Sequence, residues 1–366
     1  MHTILVLGGY GFFGKRISAS LALEPSIRVL VGGRRRDKAI ATCVALGLPE
    51  SGAVEVDTCQ ADLTDLLSRL GVGTLIHAAG PFQGQDYRIA RAAIAARCNY
   101  IDLADARQFV AGISELDAAA LAGGVLVASG ASSVPALSSA VVDRYAPLFG
   151  RLDSIRIGIS SAARAPGLAT VRGVFGYCGK PIARWERGHW STTWGWLDLH
   201  RHRFPAPVGS RLLGSCDVPD LALFPQRYAG VKTVRFHAGF ASAPGHLAVW
   251  GLAGLVKSGL LPGLVPFASA LSGISRWIEP IASDSGAMFV ELEGLDHQDR
   301  PMTRTWNLIA SRNDGPNIPC GPSIALARKL AAGNPLPRGA MPCMGLLDVD
   351  DCLAALRDLA IREIPP

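Results

Sequence analysis

Three glycines near the start of the chain have the spacing of a dinucleotide-binding turn. They fit the pattern G-x-G-x-x-G directly after an apolar run and at the start of a helical pattern. In such a turn the first glycine permits the tight bend, the second lets the backbone approach a pyrophosphate, and the third lets the helix close on the strand. The N–H groups at the helix start then face the phosphates. A purely structural turn is the alternative. The predicted dinucleotide loop consists of Gly9, Tyr10, Gly11, Phe12, Phe13 and Gly14.

Basic residues follow the second predicted strand, where the ribose of a bound dinucleotide would lie. An Asp or Glu at this place would hydrogen-bond a free 2′-hydroxyl and repel a phosphate. Arg34 and Arg35 instead offer donors that match a phosphate. We therefore expect NADP as the cofactor rather than NAD, with these two arginines as contacts. A solvated basic turn is the alternative.

Two further places are expected to contact the same cofactor. Asp62 follows the third predicted strand, where its carboxylate could meet the adenine amino group or could cap the next helix. The loop AAGPFQGQ, residues 78–85, ends the fourth predicted strand at the sheet edge where ligands enter such folds. Ala79, Gly80 and Pro81 in this loop are expected to form a backbone wall beside the cofactor.

The elements that must position these residues follow a regular alternation. Helical stretches, with apolar residues at helical spacing, separate short apolar runs that are poor enough in charge to be buried on both faces. This order predicts a Rossmann fold, an α/β architecture with a doubly wound parallel sheet. The predicted strands are 3–7, 27–31, 53–57, 74–78, 99–103 and 124–128.

A second α+β domain is predicted beyond residue 130, because longer alternating runs replace the short apolar ones. The runs 153–161, 231–240, 287–293 and 302–310 indicate a mixed or antiparallel sheet. Two amphipathic helices are predicted near the end, over 321–333 and 348–361. We expect a dinucleotide-binding domain, a substrate and dimerisation domain, and C-terminal helices that return to the first domain. The expected bounds are 1–132, 133–317 and 318–366.

Composition narrows the class of protein. The chain has 366 residues, of which 49% are hydrophobic and 18% charged, which is long enough and apolar enough for two globular domains. Its net charge is +6, but the basic residues are scattered, so nucleic acid is not expected as a partner. Eight cysteines show no C-x-x-C spacing, so we expect no metal site and no disulfide framework. The first twenty residues show no secretion signal, and a cytoplasmic location is expected.

One segment is unusually poor in charge. Between residues 236 and 275 the only Asp, Glu, Lys or Arg is Lys257. Prolines and glycines interrupt the segment, so no membrane span is expected. Buried helices or an apolar ligand wall are predicted instead, and peripheral membrane contact through 236–275 is the alternative.

Candidate proton donors for a redox step lie in two places. Tyr100, Asp102 and Asp105 are at the end of the fifth predicted strand, on the ligand edge of the sheet. His77, within the fourth strand, is a candidate base, although a core histidine is the more ordinary interpretation. Further candidates in a tryptophan-rich segment are His189, His200 and His202.

Short-chain reductases use a tyrosine and a lysine four residues apart on a helix of the nucleotide domain. The only such pair here is Tyr228 and Lys232, which comes late in the chain and has Gly230 inside it. A strand is predicted immediately afterwards. Chance spacing is therefore our interpretation of this pair.

Several motifs together resemble the saccharopine dehydrogenase-like oxidoreductases. They are GGYGFFG, GRR after the second strand, HAAGPFQGQ, NYIDLAD and GASSVPALSS. The resemblance covers about the first 140 residues and extends more loosely to GPSIALARKLAAG and RGAMPC near the end. It implies a Rossmann domain, NAD(P)-linked hydride transfer, a second domain that closes over a small-molecule substrate, and a homodimer.

Two positions depart from the pattern of that family. After the fifth strand the family usually shows Tyr-x-Asp-x-x-Gly-Glu, whereas here the run ends at Asp105; a later Gly-x-Asp-Ser-x-Pro has Ser132 in place of the Asp. Both lie where nicotinamide and substrate would meet. The substrate stays unidentified, either apolar, such as an acyl chain, or derived from an amino acid. The alternatives are a non-catalytic NADP-binding sensor or scaffold and an SDR-type reductase or epimerase.

Overall fold

The computed structural model describes most of the chain. The described residues are 1–58, 62–162, 168–269 and 283–366. By internal contacts they divide into two compact units, each built from two pieces of the sequence. Unit 1 is Met1–Leu137 with Asn317–Leu356, and unit 2 is Ser138–Pro316 with Arg357–Pro366.

The strands, in chain order, are β1 His2–Leu7, β2 Ile27–Gly33, β3 Ala53–Glu55, β4 Thr74–His77, β5 Asn99–Asp102, β6 Leu126–Ser129, β7 Phe149–Ser160, β8 Pro181–Glu186, β9 His189–Trp194, β10 His200–Arg203, β11 Ser210–Ser215, β12 Thr233–Gly239, β13 Gly286–Asp296, β14 Pro301–Ala310, β15 Gly339–Pro342 and β16 Ile361–Ile364.

The helices are α1 Gly14–Ala22, α2 Arg36–Ala45, α3 Leu63–Arg69, α4 Arg88–Ala95, α5 Arg107–Gly112, α6 Asp117–Gly123, α7 Ser138–Tyr145, α8 Leu168–Tyr177, α9 Asp220–Arg227, α10 Ala243–Lys257, α11 Gly321–Ala331 and α12 Val349–Ala354. None of the helices within the described ranges is long and apolar enough to cross a membrane.

Unit 1 contains the predicted parallel sheet. Among the described residues it has seven strands in the order β15-β6-β5-β4-β1-β2-β3, all parallel. The doubly wound fold and all six predicted strands are thus confirmed. The seventh strand, β15, was not predicted; it adds to β6, and the Ala340 backbone N–H donates to Asp117 Oδ1 at 2.9 Å. The strand order reverses between β1 and β4, where ligands bind in such folds.

Unit 2 contains the second sheet, which is mixed. Its order is β10-β11-β12-β7-β13-β14-β16, and β8 pairs with both β12 and β9. Strands β12 and β7 run parallel, while β13 is antiparallel to β7 and β14. The mixed sheet is thus confirmed. The tryptophan-rich segment forms β8, β9 and β10, which the sequence analysis did not identify as strands.

One expectation about helices is wrong, and a second holds only in part. The helix predicted over 348–361 ends at Ala354, and the chain then forms β16, which pairs with β14. The charge-poor segment forms α10, but only His246 and Ala253 of this helix are buried. One face of α10 packs on apolar residues and the other is exposed, so the expected burial holds for one side of this helix, and an apolar ligand wall stays a prediction. Residues 270–275 of that segment lie outside the described residues.

Candidate dinucleotide site

The glycine turn joins β1 to α1 through close backbone contacts. Gly8 has φ +80°, a conformation that favours glycine, so the bend begins one residue before the predicted motif. A Cβ on Gly14 would lie 2.1 Å from the Gly8 carbonyl oxygen, a distance that excludes any side chain. The N–H groups of Gly8 and Gly9 both donate to the Gly32 oxygen, at 2.8 and 3.1 Å. The turn is thereby tied to the end of β2.

The start of α1 meets the requirements for binding an anion. Its N-cap, Phe13, provides no side-chain hydrogen bond, and the first turn has no acidic residue. The N–H groups of Lys15 and Arg16 donate to the Gly11 and Phe13 carbonyl oxygens, at 3.0 Å each, so it is the helix dipole that favours a negative group at this end. Gly11 lies in the loop directly before it, and a Cβ there would be 3.0 Å from the Gly8 oxygen. The backbone can therefore approach a pyrophosphate as the motif predicts.

Tyr10 connects the glycine turn to the loop after β2. Its hydroxyl accepts a hydrogen bond from the Arg35 backbone N–H at 3.0 Å. The ring lies over Gly33, where a Cβ would be 2.5 Å from Tyr10 Cε1. Only a residue without a side chain leaves room for this ring. The contact holds the end of β2, where a ribose is expected, beside the turn expected to hold the pyrophosphate.

The two predicted phosphate-binding arginines have different surroundings. Arg35 donates from Nε and Nη2 to the two oxygens of Asp37, at 2.9 and 2.7 Å. This pairing lowers the pKa of Asp37 to about 2. Arg34 is exposed and has no hydrogen-bond or ion-pair partner within the described ranges. Arg34 is thus a cation at this loop that is free to meet a phosphate, and the exposed Arg36 beside it likewise has no partner among the described residues.

The loop after β4 is braced from within. Gln85 Nε2 donates to the carbonyl oxygens of Ala79 at 3.1 Å and Pro81 at 2.7 Å. A Cβ on Gly8 would lie 3.1 Å from the Ala78 carbonyl carbon, so this loop borders the glycine turn. Ala79, Gly80 and Pro81 are each half-buried. The sequence analysis assigned no role to Gln85, although it lies within the same quoted motif.

Asp62 caps the helix that follows it. Its Oδ1 accepts from the Asp65 backbone N–H at 3.1 Å, at the start of α3. The sequence analysis gave two possible roles for Asp62, an adenine contact and a helix cap. The structure shows the cap. A contact with adenine stays a prediction.

Tyr100 and His77 form a buried pair in adjacent strands. His77 Nδ1 and the Tyr100 hydroxyl are 3.0 Å apart. Burial lowers the pKa of His77 to about 4 and raises the pKa of Tyr100 well above its usual range, and the Asp102 carboxylate raises it further. A neutral, buried His77 that hydrogen-bonds its neighbour fits the core interpretation.

Asp102 holds the loop after β6 in place. Its Oδ1 accepts hydrogen bonds from the Gly130 N–H at 2.8 Å, the Ala104 N–H at 2.9 Å and the Ser129 hydroxyl at 3.0 Å. Burial raises the pKa of Asp102 to about 6, although these bonds act in the opposite direction. The side chain is fully buried. Asp102 is therefore a positioning residue for this edge of the sheet, and Ser129 is a partner that the sequence analysis missed.

Asp105 differs from the other two predicted donors because it is only half-buried. Its Oδ1 accepts a hydrogen bond from Gln83 Nε2 at 3.2 Å. Gln83 belongs to the loop after β4, so this bond joins the ends of β4 and β5. Of the three predicted donors, only Asp105 combines a position at the ligand edge with access to solvent.

Two of the three candidate histidines of unit 2 lie in aromatic contacts. His200 packs against His237 with ring centroids 4.2 Å apart, and His202 stacks on Phe289 at 3.9 Å. His189 is exposed on β9. No three His, Cys, Asp or Glu side chains in the described part of the chain are grouped as metal ligands would be.

The tyrosine and lysine with short-chain reductase spacing bind different partners. The Tyr228 hydroxyl donates to Asp143 Oδ1 at 2.9 Å, while Lys232 pairs with Asp153 at 2.9 Å. Both belong to unit 2, outside the nucleotide sheet. The geometry therefore does not form the reductase pair.

Comparison with known proteins decides the family of this first domain. Residues 4–128 match the family model of the saccharopine dehydrogenase NADP binding domain. These residues form a saccharopine dehydrogenase NADP-binding domain. The resemblance seen in the sequence is thus confirmed for this part of the chain.

Solved structures show the same fold over the whole chain. Apo histidine-tagged saccharopine dehydrogenase (L-Glu forming) from Saccharomyces cerevisiae superimposes with a TM-score of 0.70 at 14% identity, covering 100% of both chains. Amine dehydrogenase from Mycobacterium smegmatis gives 0.51 at 12% identity, covering 93% of this chain and 94% of its own. No curated protein matches in sequence. At these identities the likeness concerns the fold, and with the saccharopine dehydrogenase NADP-binding domain it supports an NAD(P)-dependent oxidoreductase.

Proposed function

We propose that this protein transfers hydride between NADPH and a small-molecule substrate. The glycine turn would hold the pyrophosphate against the start of α1, with the nicotinamide beside the loop of Ala79, Gly80 and Pro81. The cofactor supplies the hydride when bound. The residues of the chain bind and orient it, and they hold the proton that the reaction consumes or releases.

The observation that carries the choice of NADP is the charge at the end of β2. Arg34 is exposed and unpaired within the described ranges, and it follows directly on the strand that ends beside Tyr10. The nearest carboxylate along the chain, Asp37, is occupied by Arg35. A 2′-phosphate would therefore meet a free guanidinium, because the acid that could repel it is already neutralised.

The proton donor that we propose is Asp105. Tyr100 and Asp102 are fully buried, and the Tyr100 hydroxyl and Asp102 Oδ1 form hydrogen bonds inside unit 1. Asp105 is half-buried and lies beside Gln83. A general acid must come within hydrogen-bond reach of the substrate, which favours a group with access to the edge of the sheet.

The substrate is proposed as either an apolar acyl-type molecule or a compound derived from an amino acid. We also propose, from the sequence, that the protein is a cytoplasmic homodimer. The direct test is to incubate purified protein with NADPH and a panel of imines, ketones and enoyl compounds, and to follow the loss of absorbance of NADPH. Turnover of any panel member supports hydride transfer. NADPH binding with no turnover across the panel contradicts it.

A non-catalytic NADP sensor is the second candidate. The observation that favours it is the complete burial of Tyr100 and Asp102, which leaves a single solvent-accessible donor among the three predicted. A sensor would bind NADPH with a change in conformation or partner and without consuming it. Stable NADPH fluorescence over hours in the presence of the panel would favour this function.

A further inference from the structure

The α8–α10 layer of unit 2 presents an apolar surface to solvent. We define this layer as residues 168–183 and 236–269. Twelve large hydrophobic side chains are exposed among the described residues. Six of them lie in one stretch of 21 residues inside this layer. They are Leu247, Trp250, Leu255, Leu260, Val265 and Phe267. A concentration of this kind marks an interaction surface, because scattered single exposures are the norm on soluble proteins.

The opposite side of α10 is already occupied. Ala253 is buried in a cluster with Phe175, Trp196 and Leu264, and partly buried residues such as Val249 and Val256 pack around it. The exposed face of α10 is therefore different from the face that packs in this cluster. It is a second apolar surface on the same helix, which is about 22 Å long at 1.5 Å per residue.

The charges of the layer are all of one sign. Its described residues contain Arg172, Lys180 and Lys257 and no Asp or Glu. Lys180 and Lys257 lie near each other in the fold, because a Cβ on Gly179 would be 2.7 Å from Val256 Cβ. The Lys257 ammonium lies 4.8 Å from the centre of the Trp194 ring. The apolar surface is thus bordered by cations at the C-terminal end of α10.

We propose that the α8–α10 layer docks onto the surface of an anionic lipid bilayer. Apolar side chains with a tryptophan and a phenylalanine among them, bordered by cations, are the features that bind a membrane interface. A second copy of the chain fits less well, since two-fold packing through this layer would bring like charges together without a carboxylate between them. This inference does not depend on the proposed redox function.

The test is co-sedimentation of the full-length protein with vesicles of phosphatidylcholine alone and of phosphatidylcholine with roughly a third phosphatidylserine. The wild-type protein is expected to sediment with the anionic vesicles and less in high salt. The double variant Trp250→Gln/Leu255→Gln should reduce the partition coefficient by about tenfold or more. Lys257→Gln should reduce it by about fivefold, the scale expected for one basic residue near such a surface.

The matched control is Leu121→Gln. Leu121 lies on α6 of unit 1 and is 54% exposed, against 41% for Leu255. This control should sediment as the wild type does, and all variants should keep the wild-type melting temperature, because the residues changed are on the surface. Failure of the wild-type protein to sediment with either vesicle overturns the proposal. So does undiminished sedimentation of the double variant.

Light scattering separates the alternative occupant. If the wild-type protein is a dimer without lipid and Trp250→Gln/Leu255→Gln is a monomer, then a second copy covers this layer and the lipid proposal is wrong. An unchanged mass for both proteins, together with loss of sedimentation in the double variant, supports the lipid surface.

Discussion

The Tyr10 hydroxyl accepts a hydrogen bond from the Arg35 backbone N–H at 3.0 Å, and this bond joins the glycine turn to the loop expected to hold the ribose. The Tyr10 ring occupies the space that a side chain on Gly33 would need. A substitution in the glycine turn is therefore expected to affect the loop after β2, and the reverse.

Replacing Gly33 with Ala is expected to displace the Tyr10 ring and weaken NADPH binding. The added Cβ would come within 2.5 Å of Tyr10 Cε1, so the ring must move away. Tyr10→Phe removes only the hydrogen bond and should cost about 1 kcal/mol of binding free energy or less. Titration calorimetry with NADPH measures both. The control is Gly254→Ala, because a Cβ there meets nothing within 4 Å. A Gly33→Ala protein that binds NADPH like the wild type would show that the ring position does not matter.

Two glycines of the turn should separate folding from binding. Gly14→Ala forces a Cβ to 2.1 Å from a backbone oxygen, and we expect a loss of about 1–3 kcal/mol in the free energy of unfolding. Gly11→Val should leave most stability intact but abolish dinucleotide binding, because its side chain would occupy the place of the pyrophosphate. Urea unfolding and NADPH titration provide the two measurements. NADPH binding retained by Gly11→Val would mean that the turn is not the site.

The stability of unit 1 should reveal two opposed titrations. The pKa of Asp102 is raised to about 6, so the native protein keeps a proton that the unfolded chain releases near pH 4. The stability contributed by this group is full below about pH 4 and is lost as the pH rises through 6. The pKa of His77 is lowered to about 4, so its contribution is instead gained as the pH rises toward 6.5. The two effects largely cancel in the wild-type protein.

Asp102→Asn should therefore uncover the His77 contribution. Relative to the wild type, the variant should gain on the order of 3 kcal/mol in the free energy of unfolding between about pH 4 and pH 7. Urea unfolding at intervals across this range measures it. His77→Gln is the matched variant. Relative to the wild type, its free energy of unfolding should fall between about pH 4 and pH 7. Parallel profiles for wild type and Asp102→Asn would contradict the assigned burial effect.

Asp105→Asn tests the proposed proton donor. Loss of a general acid typically lowers kcat by about 100-fold to 10,000-fold, while binding of NADPH is expected to stay unchanged. The comparison is Gln83→Ala, which removes the hydrogen bond to Asp105 and should have a smaller effect on kcat. The measurement is steady-state kinetics with whichever panel substrate is turned over. A kcat for Asp105→Asn within a few-fold of the wild type would remove this residue from the mechanism.

The first domain could be predicted from the sequence because its signals are local. The six predicted strands of the parallel sheet are short runs that are mostly apolar, as burial on both faces requires, and the glycine turn has a fixed spacing. Strand β15 could not be found this way, because Gly339–Pro342 is short and becomes a strand only by pairing with β6. The end of the chain was predicted as a helix because its apolar spacing continues past Ala354, but residues 361–364 pair with β14 instead.

The sequence predicted where the residues of the candidate site lie, but not how buried each one is or what it contacts. The sequence placed Tyr100, Asp102 and Asp105 together, but their different burial depends on the neighbouring strands and on the loop after β6. Arg35 and Asp37 are only two residues apart in the sequence, so this ion pair could have been predicted without the structure. The contact of Tyr10 with the β2 loop spans 25 residues and required the folded sheet.

The most direct test of the central claim is the affinity of the wild-type protein and of Arg34→Ala for NADPH and NADH. The control is Arg28→Ala, an exposed arginine at the other end of β2. We predict that the wild type prefers NADPH. Arg34→Ala should weaken NADPH by about 1.5–3 kcal/mol, the scale of a hydrogen bond to a charged group, and leave NADH nearly unchanged. Equal loss for both cofactors, or a wild-type preference for NADH, would contradict the account.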